Sequence, residues 1–484
     1  MKIKIINISK IVSWNTDSNS LEIIENKDIL IESDKITEIS NDISSFDDVI
    51  DAKQSIITPG FIDAHTHPIF IGNRSNEFIM RAQGKTYLEI SKMGGGINSS
   101  VNSLREASEE DLYNASLENI KPFINFGTTT MEAKSGYGLN LKDEIKSLKV
   151  IKQLNSDLDI DIIPTSLGAH DIPMEYKNKK ENYINIICEE MIPEIAEKKL
   201  AVFCDVFCEN GYFSVNDSRK ILKVAKQYNL IPRMHADEFV YSGAAELAKE
   251  IGAVSADHLM AVSDSGINDM AKRGVIATLL PGTTFFLGKN TYADGRKMID
   301  AGCQVAIATD FNPGSCTLQS MPSIMFLSML YCGLTIEEAF KGCTYNAAKS
   351  INRENSIGLR LSLGGEIHFS QTTVPGNGKL EANIDELFGI SLDGVEAGLA
   401  VDARWPIATI MLGRRPTIRG DSLVLASTGS SGWGSKKDPL VLPGLKVGGG
   451  YRSEFVLLNP SASVIEGQIA LFGRDGAAVT RYQS

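Results

Sequence analysis

Over its first 55 residues the chain alternates apolar and polar positions in short runs, KIKIINI, SLEIIE, DILIE and KITEIS, broken by Asn, Asp and Ser. Alternation with period two puts the apolar side chains on one face of an extended strand, so residues 1–55 predict a small antiparallel β-domain. From Ile56 the rhythm changes. Short apolar runs recur in IITPGFIDAHTH, GTTTMEAKSG, DIIPTSLGAH, LAVFCDVFCE, IPRMHADEF, AVSADHLM, GVIATLLPG and QVAIATDFNPG, separated by longer segments such as KDEIKSLKVIKQLN and SRKILKVAKQYN. Apolar residues in those longer segments fall three and four apart, the helical spacing. Eight such repeats over residues 56–351 predict an α/β fold, a (β/α)8 TIM-like barrel of the usual size, about 250 residues.

A second change falls near position 351. Residues 352–484 are richer in Gly, Ala, Val and Leu, and GEIHFSQTTV, AVDARWPIATIML and YRSEFVLLNPSASVIEGQIALFGRDG alternate like the strands of a β-sandwich. GSSGWGSKKDP between them has a linker's composition. Charge divides the chain at the same place. The formal net charge is −12, yet the residues after 350 hold 4 Lys, 9 Arg and 13 acidic residues and are neutral, so the front part carries all of it. The excess of acid repels nucleic acid and anionic membrane. No apolar run approaches the roughly 18 residues needed to cross a bilayer, and MKIKIINISK lacks a signal peptide's apolar core, so a cytoplasmic protein is expected. The seven cysteines are odd in number and fit reduced thiols; Cys204 and Cys208 have the spacing of half a metal clip, but no second pair completes it.

The chemistry lies at the strand ends. His65, His67, His170, His235, His258 and Asp310 each close one of the predicted barrel strands, where barrel active sites are built, and they include five of the six histidines. His65 and His67 are two apart and share a face. With His235 and Asp310 they make a set of three imidazoles and one carboxylate that suits Zn²⁺ or Fe²⁺, leaving water as the exchangeable ligand. Water on such an ion is acidified toward neutrality, which points to metal-assisted hydrolysis of a carbonyl or amidine carbon. Glu238, three residues after His235, can approach the same point; Asp310 can serve as ligand and proton acceptor, and His258 can polarise or donate.

DAHTHPIFIGNRSNEF, QGKTYLEISKMGGGI, AKSGYGL, SLGAHDIPMEY, MHADEF, ADHL, LLPGTTFFL and ATDFNPGS together resemble, in order and spacing, the imidazolonepropionase family of the amidohydrolase superfamily over residues 1–350. The resemblance implies hydrolytic opening of 4-imidazolone-5-propanoate to N-formimidoyl-L-glutamate in histidine degradation. It implies His65, His67, His235 and Asp310 as ligands of a divalent metal ion, and a homodimer. It further implies Arg74 as the partner of the substrate propionate, Tyr137 as a contact of substrate and product, His170 and Glu238 as contacts of the ring, and Asn312, Gly314 and Ser315 as contacts of the substrate carboxylate or the product. No lysine ends the fourth strand in VFCDVFCEN, so the carbamylated bridge of two-metal relatives is missing and one metal is expected. Lys134 is expected to be structural or beside the substrate, and the Gly94–Gly96 run to be a loop over the barrel mouth. Family members complete the N-terminal β-domain with strands that return after the barrel; without them its edge would be unpaired. Two rival readings remain at this point. One is a different cyclic-amidine amidohydrolase or deaminase, which would have no propionate for Arg74; the other is an inactive fusion whose tail is a β-sandwich binding module.

Overall fold

A computed structural model describes residues 2–16, 18–32, 35–85, 89 and 95–353 in full, and after these the backbones of the strands named below. The chain divides into two compact units, residues 1–363 and 364–484.

In the first unit the alternating runs form β1 (Lys2–Ile6), β2 (Lys10–Asn15), β3 (Ser20–Glu25), β4 (Asp28–Glu32), β5 (Lys35–Ser40), β6 (Asp48–Asp51) and β7 (Ile56–Pro59). Ile5, Ile11, Ile29 and Ile57 bring their apolar faces into one small core. β7 pairs in parallel with β2, so this β-structure runs to Pro59. A returning strand is present: β16 (Leu359–Arg360) lies antiparallel to β7, pairing Leu359 with Pro59 and Arg360 with Thr58. It is two residues long, and Ile23, Ile36, Ile39 and Val49 of the neighbouring strands stay exposed.

The barrel sheet consists of β8 (Phe61–Asp63), β9 (Thr128–Lys134), β10 (Asp161–Ala169), β11 (Phe203–Cys208), β12 (Ile231–Ala236), β13 (Ser255–His258), β14 (Ile276–Leu279) and β15 (Val305–Ile307), each paired in parallel with the next. All eight expected strands form. The ring closes just beyond β8 and β15, where the Asp310 N–H donates to the His65 carbonyl at 3.0 Å and the His67 N–H to the Phe311 carbonyl at 2.8 Å. Helix starts follow from local polar chemistry. Asn140 accepts from the Asp143 N–H before Leu141–Asp157, and a Ser214–Asp217 capping box opens Val215–Gln227.

Every residue of β11 is buried, as expected for a strand covered on both faces. Asp205 points into the barrel, so the alternation turns Cys204 and Cys208 toward the helical layer. All seven cysteines are buried and free.

The second unit contains β17 (Lys379–Asn383), β18 (Glu396–Ala403), β19 (Ala408–Arg415), β20 (Ser422–Ser427), β21 (Leu440–Lys446), β22 (Arg452–Leu458), β23 (Gly467–Gly473) and β24 (Ala478–Gln483). They form two antiparallel four-stranded sheets, β17-β22-β19-β20 and β21-β18-β23-β24. The linker GSSGWGSKKDP, His368, Gly94 and most of QGKTYLEISKMGGGI lie outside the described residues.

Candidate active site

His65 and His67 follow β8, His235 and His258 lie at the ends of β12 and β13, and Asp310 stands three residues beyond β15. Between the first pair, Thr66 is anchored to β9: its N–H donates to the Glu132 carboxylate at 3.2 Å and its hydroxyl to the Glu132 carbonyl at 2.6 Å. That turns both imidazoles inward. His67 Nε2 lies 3.3 Å from His65 Nε2 and 3.4 Å from His235 Nε2, and Asp310 Oδ1 lies 3.6 and 3.5 Å from the Nε2 atoms of His65 and His67.

The other ring nitrogens decide what these atoms can be. His65 Nδ1 donates to Asp257 at 2.7 Å and His235 Nδ1 to Asp205 at 3.1 Å, since a carboxylate only accepts. The inward Nε2 atoms of His65 and His235 are therefore bare lone pairs. Burial holds His65 and His67 well below the ordinary imidazole pKa, so protonation does not relieve the crowding. Nitrogens bound at about 2.0–2.1 Å to one tetrahedral ion stand about 3.3 Å apart, so this donor set fits a divalent metal. Asp310 (φ 53°) and His258 (φ 80°) adopt left-handed backbone, which turns both side chains over the barrel end at a conformational cost.

Beneath the cluster lies a layer of buried charge. Lys134 Nζ donates to Glu132 and Asp205, both at 2.7 Å. Arg233 donates to Asp257 at 3.2 Å and to the carbonyls of Ala64 and Ser350 at 2.7 and 2.8 Å. Each His–Asp pair thus has a cation behind it. Lys134 is structural rather than exposed to substrate. Asp205, Asp257 and Arg233 escaped the sequence reading; the signal was a charge inside the apolar runs FCDVFC, IPRMHA and SADH.

Above the cluster is a cavity of about 470 Å³. Every site residue named from the sequence borders it except His65, which lies behind His67. His170 donates from Nδ1 to the Gly136 carbonyl at 2.9 Å, stacks on His67 with ring centres 5.1 Å apart, and is pushed down to about 3 by burial. Tyr137 sits with its ring centre 5.3 Å from that of His170. The loop that carries Tyr137 is fixed by Glu144, whose carboxylate accepts from the N–H groups of Gly136, Gly138 and Leu139. Gly136 has φ 110°, which only glycine adopts readily.

Glu238 Oε2 lies 3.7 Å from His258 Nε2. Burial, with Asp310 nearby, holds the Glu238 carboxyl well above its ordinary range, and burial pushes Asp310 up to about 6. Arg74 is gripped at Nε and Nη2 by Glu77, at 2.8 and 2.7 Å. Asn312, Gly314 and Ser315 form a closed turn in which Asn312 Oδ1 accepts from the Gly314 and Ser315 N–H groups at 2.9 and 2.7 Å. Arg81, Lys85 and Lys289 also border the cavity and were not named from sequence, having no spacing to mark them.

A parallel eight-stranded barrel with imidazoles and a carboxylate gathered at its strand ends defines a metal-dependent hydrolase, and the profile of the amidohydrolase family matches residues 56–360. The chain is 47% identical over 352 residues to the imidazolonepropionase of Clostridium tetani, covering 71% of this chain and 84% of that protein. It is 50% identical over 309 residues to the imidazolonepropionase of Bacteroides fragilis, covering 63% and 74%. The chain belongs to the imidazolonepropionase family. Among solved structures, E. coli guanine deaminase shares the fold, with a TM-score of 0.56 and 15% identity over 74% of this chain and 85% of that one. Among the described residues no helix is long and apolar enough to cross a membrane.

Proposed function

We propose that the chain hydrolyses 4-imidazolone-5-propanoate to N-formimidoyl-L-glutamate in histidine degradation. The observation that carries this reading is a single cavity bordered both by the His67, His235 and Asp310 cluster and by Arg74. His65, His67, His235 and Asp310 would hold one divalent ion, Zn²⁺ or Fe²⁺, both of which accept nitrogen and carboxylate ligands. When bound, such an ion supplies Lewis acidity, polarising a carbonyl and lowering the pKa of water. Arg74 would meet the propionate with a guanidinium fork beside Asn312, Gly314 and Ser315, while Tyr137 and His170 flank the ring.

In the reaction a water oxygen adds to the ring carbonyl carbon, the adjoining C–N bond breaks, and that carbon becomes a second carboxylate. Asp310 would take the water proton. Glu238, whose carboxyl burial and nearby Asp310 hold well above its ordinary range, would hold the ring and return a proton to the leaving nitrogen, and His258, 3.7 Å from it, would polarise the carbonyl. Seven free thiols support the cytoplasm as the compartment. The active form is read as a homodimer, in keeping with the exposed Phe326, Leu330 and Tyr331 on the helix Met321–Tyr331.

The test is turnover of 4-imidazolone-5-propanoate, guanine and cytosine by the purified full-length chain and its Arg74→Ala variant. Turnover of the first is expected, with kcat/KM about 10–100-fold lower in the variant, because charge-assisted hydrogen bonds are worth about 1.5–3 kcal/mol. A wild-type protein that leaves imidazolonepropanoate untouched, or deaminates either base irrespective of Arg74, overturns the reading.

A further inference from the structure

Glu77 has no part in the chemistry above, yet its carboxylate ties both ends of its own helix to the segment that begins at Gly96. It sits on the helix Ser75–Ala82 with its side chain 8% exposed. It accepts from Arg74 Nε and Nη2 and, at 2.8 Å, from the Gly96 N–H, and Arg81 Nη1 lies 3.9 Å away. Arg81 Nη2 in turn donates to the Gly314 carbonyl at 2.8 Å. Gly314 is where Arg74 rests: a Cβ there would come within 2.2 Å of Arg74 Nη1. The guanidinium is thus held between a carboxylate on one side and a glycine on the other.

Two physical consequences follow. An arginine side chain has many rotamers to lose on binding, and a bidentate carboxylate takes that loss before a ligand arrives. Two arginines against one glutamate also leave this wall with one net positive charge, the complement of one carboxylate. We propose that Glu77 is a positioning residue that sets the enzyme's demand for an anionic substrate side chain, gripping Arg74 by its Nε–Nη2 edge so that the substrate carboxylate is met beside Gly314. This inference rests on the propionate role of Arg74 proposed above.

Glu77→Gln keeps the shape and removes the charge. The expected result is a KM for 4-imidazolone-5-propanoate raised about tenfold, the loss of one charge-assisted contact, with kcat and metal content within about twofold of wild type. Hydrolysis of the neutral analogue 5-ethyl-4-imidazolone should not change. Adding Glu77→Gln to Arg74→Ala should raise KM no further, because residues acting through one contact are not additive. Should Glu77→Gln fold poorly, as its melting temperature would report, Gly314→Ala disturbs Arg74 from the opposite side and should raise the same KM. Calorimetric binding of N-formimidoyl-L-glutamate reads the contact without turnover.

An unchanged KM in an active Glu77→Gln enzyme overturns the inference, as does equal damage to the neutral analogue or a fully additive double mutant. A wild type that neither turns over the substrate nor binds the product removes the functional reading itself.

Discussion

Replacing Asp310 with asparagine is expected to cut hydrolysis of 4-imidazolone-5-propanoate by about three orders of magnitude and to leave the purified protein with much less than one metal ion per chain. Lewis-acid assistance is worth several kcal/mol, which converts to a factor on the order of 10³ in rate. Asp310 brings the cluster's negative charge, with Oδ1 within 3.6 Å of two imidazole nitrogens and Oδ2 accepting from the Thr283 hydroxyl. Asparagine is the informative substitution because position 310 has φ 53°, which asparagine tolerates and alanine does not, and because its amide oxygen can still accept from Thr283. The fold should therefore survive, which a melting curve in the absence of metal would show. His65→Ala should lose metal likewise, its Nδ1 bond to Asp257 being lost with the ring. Full metal occupancy in Asp310→Asn, measured by elemental analysis, contradicts the ligand assignment; retained turnover contradicts the role in catalysis.

The cluster was legible in the sequence because barrel geometry converts strand ends into a place. Five histidines and Asp310 end five different apolar runs, and β-strands arranged in a ring bring such ends together. The partners behind them were not legible. Asp205 and Asp257 sit on inward positions of β11 and β13, and nothing in FCDVFC or SADH says which imidazole they will meet, since that depends on register between neighbouring strands for Asp205 and on reach across the barrel for Asp257. Glu77 was hidden for another reason: in GNRSNEF it reads as an ordinary surface i, i+3 partner of Arg74, and only the Gly96 N–H arriving from another segment, with Arg81 one turn along the same helix, makes it a buried junction. The returning strand Leu359–Arg360 was equally invisible, because two residues carry no alternation. Asn312, Gly314 and Ser315 show the reverse. Their turn chemistry was plain in the sequence, and the structure places that turn against the cavity with its own N–H groups turned onto Asn312.

Lys134→Met is expected to give the largest loss of stability among these positions, about 3–5 kcal/mol, the range for removing one partner of a buried ion pair. Lys134, Glu132 and Asp205 are all fully buried, and Lys134 Nζ is the bridge between the two carboxylates at 2.7 Å each. Methionine matches its length and supplies no charge, so Glu132 and Asp205 would be left facing one another inside the barrel. Burial alone raises the Asp205 carboxyl, but His235 and Lys134 hold it well below its usual range; without the lysine it moves back up and becomes a poorer acceptor for His235 Nδ1–H. Loss of such a partner typically costs 10–100-fold in metal affinity. Two measurements should therefore move together: the metal-free melting temperature falls, and a chelator strips metal from the variant at lower concentration than from wild type. Because the metal binds the folded state alone, excess Zn²⁺ should recover part of the lost stability, and less of it than in wild type at the same concentration. If Lys134→Met melts with wild type and holds metal as tightly, Lys134 does not support His235 and the buried charges beneath the cluster have another purpose.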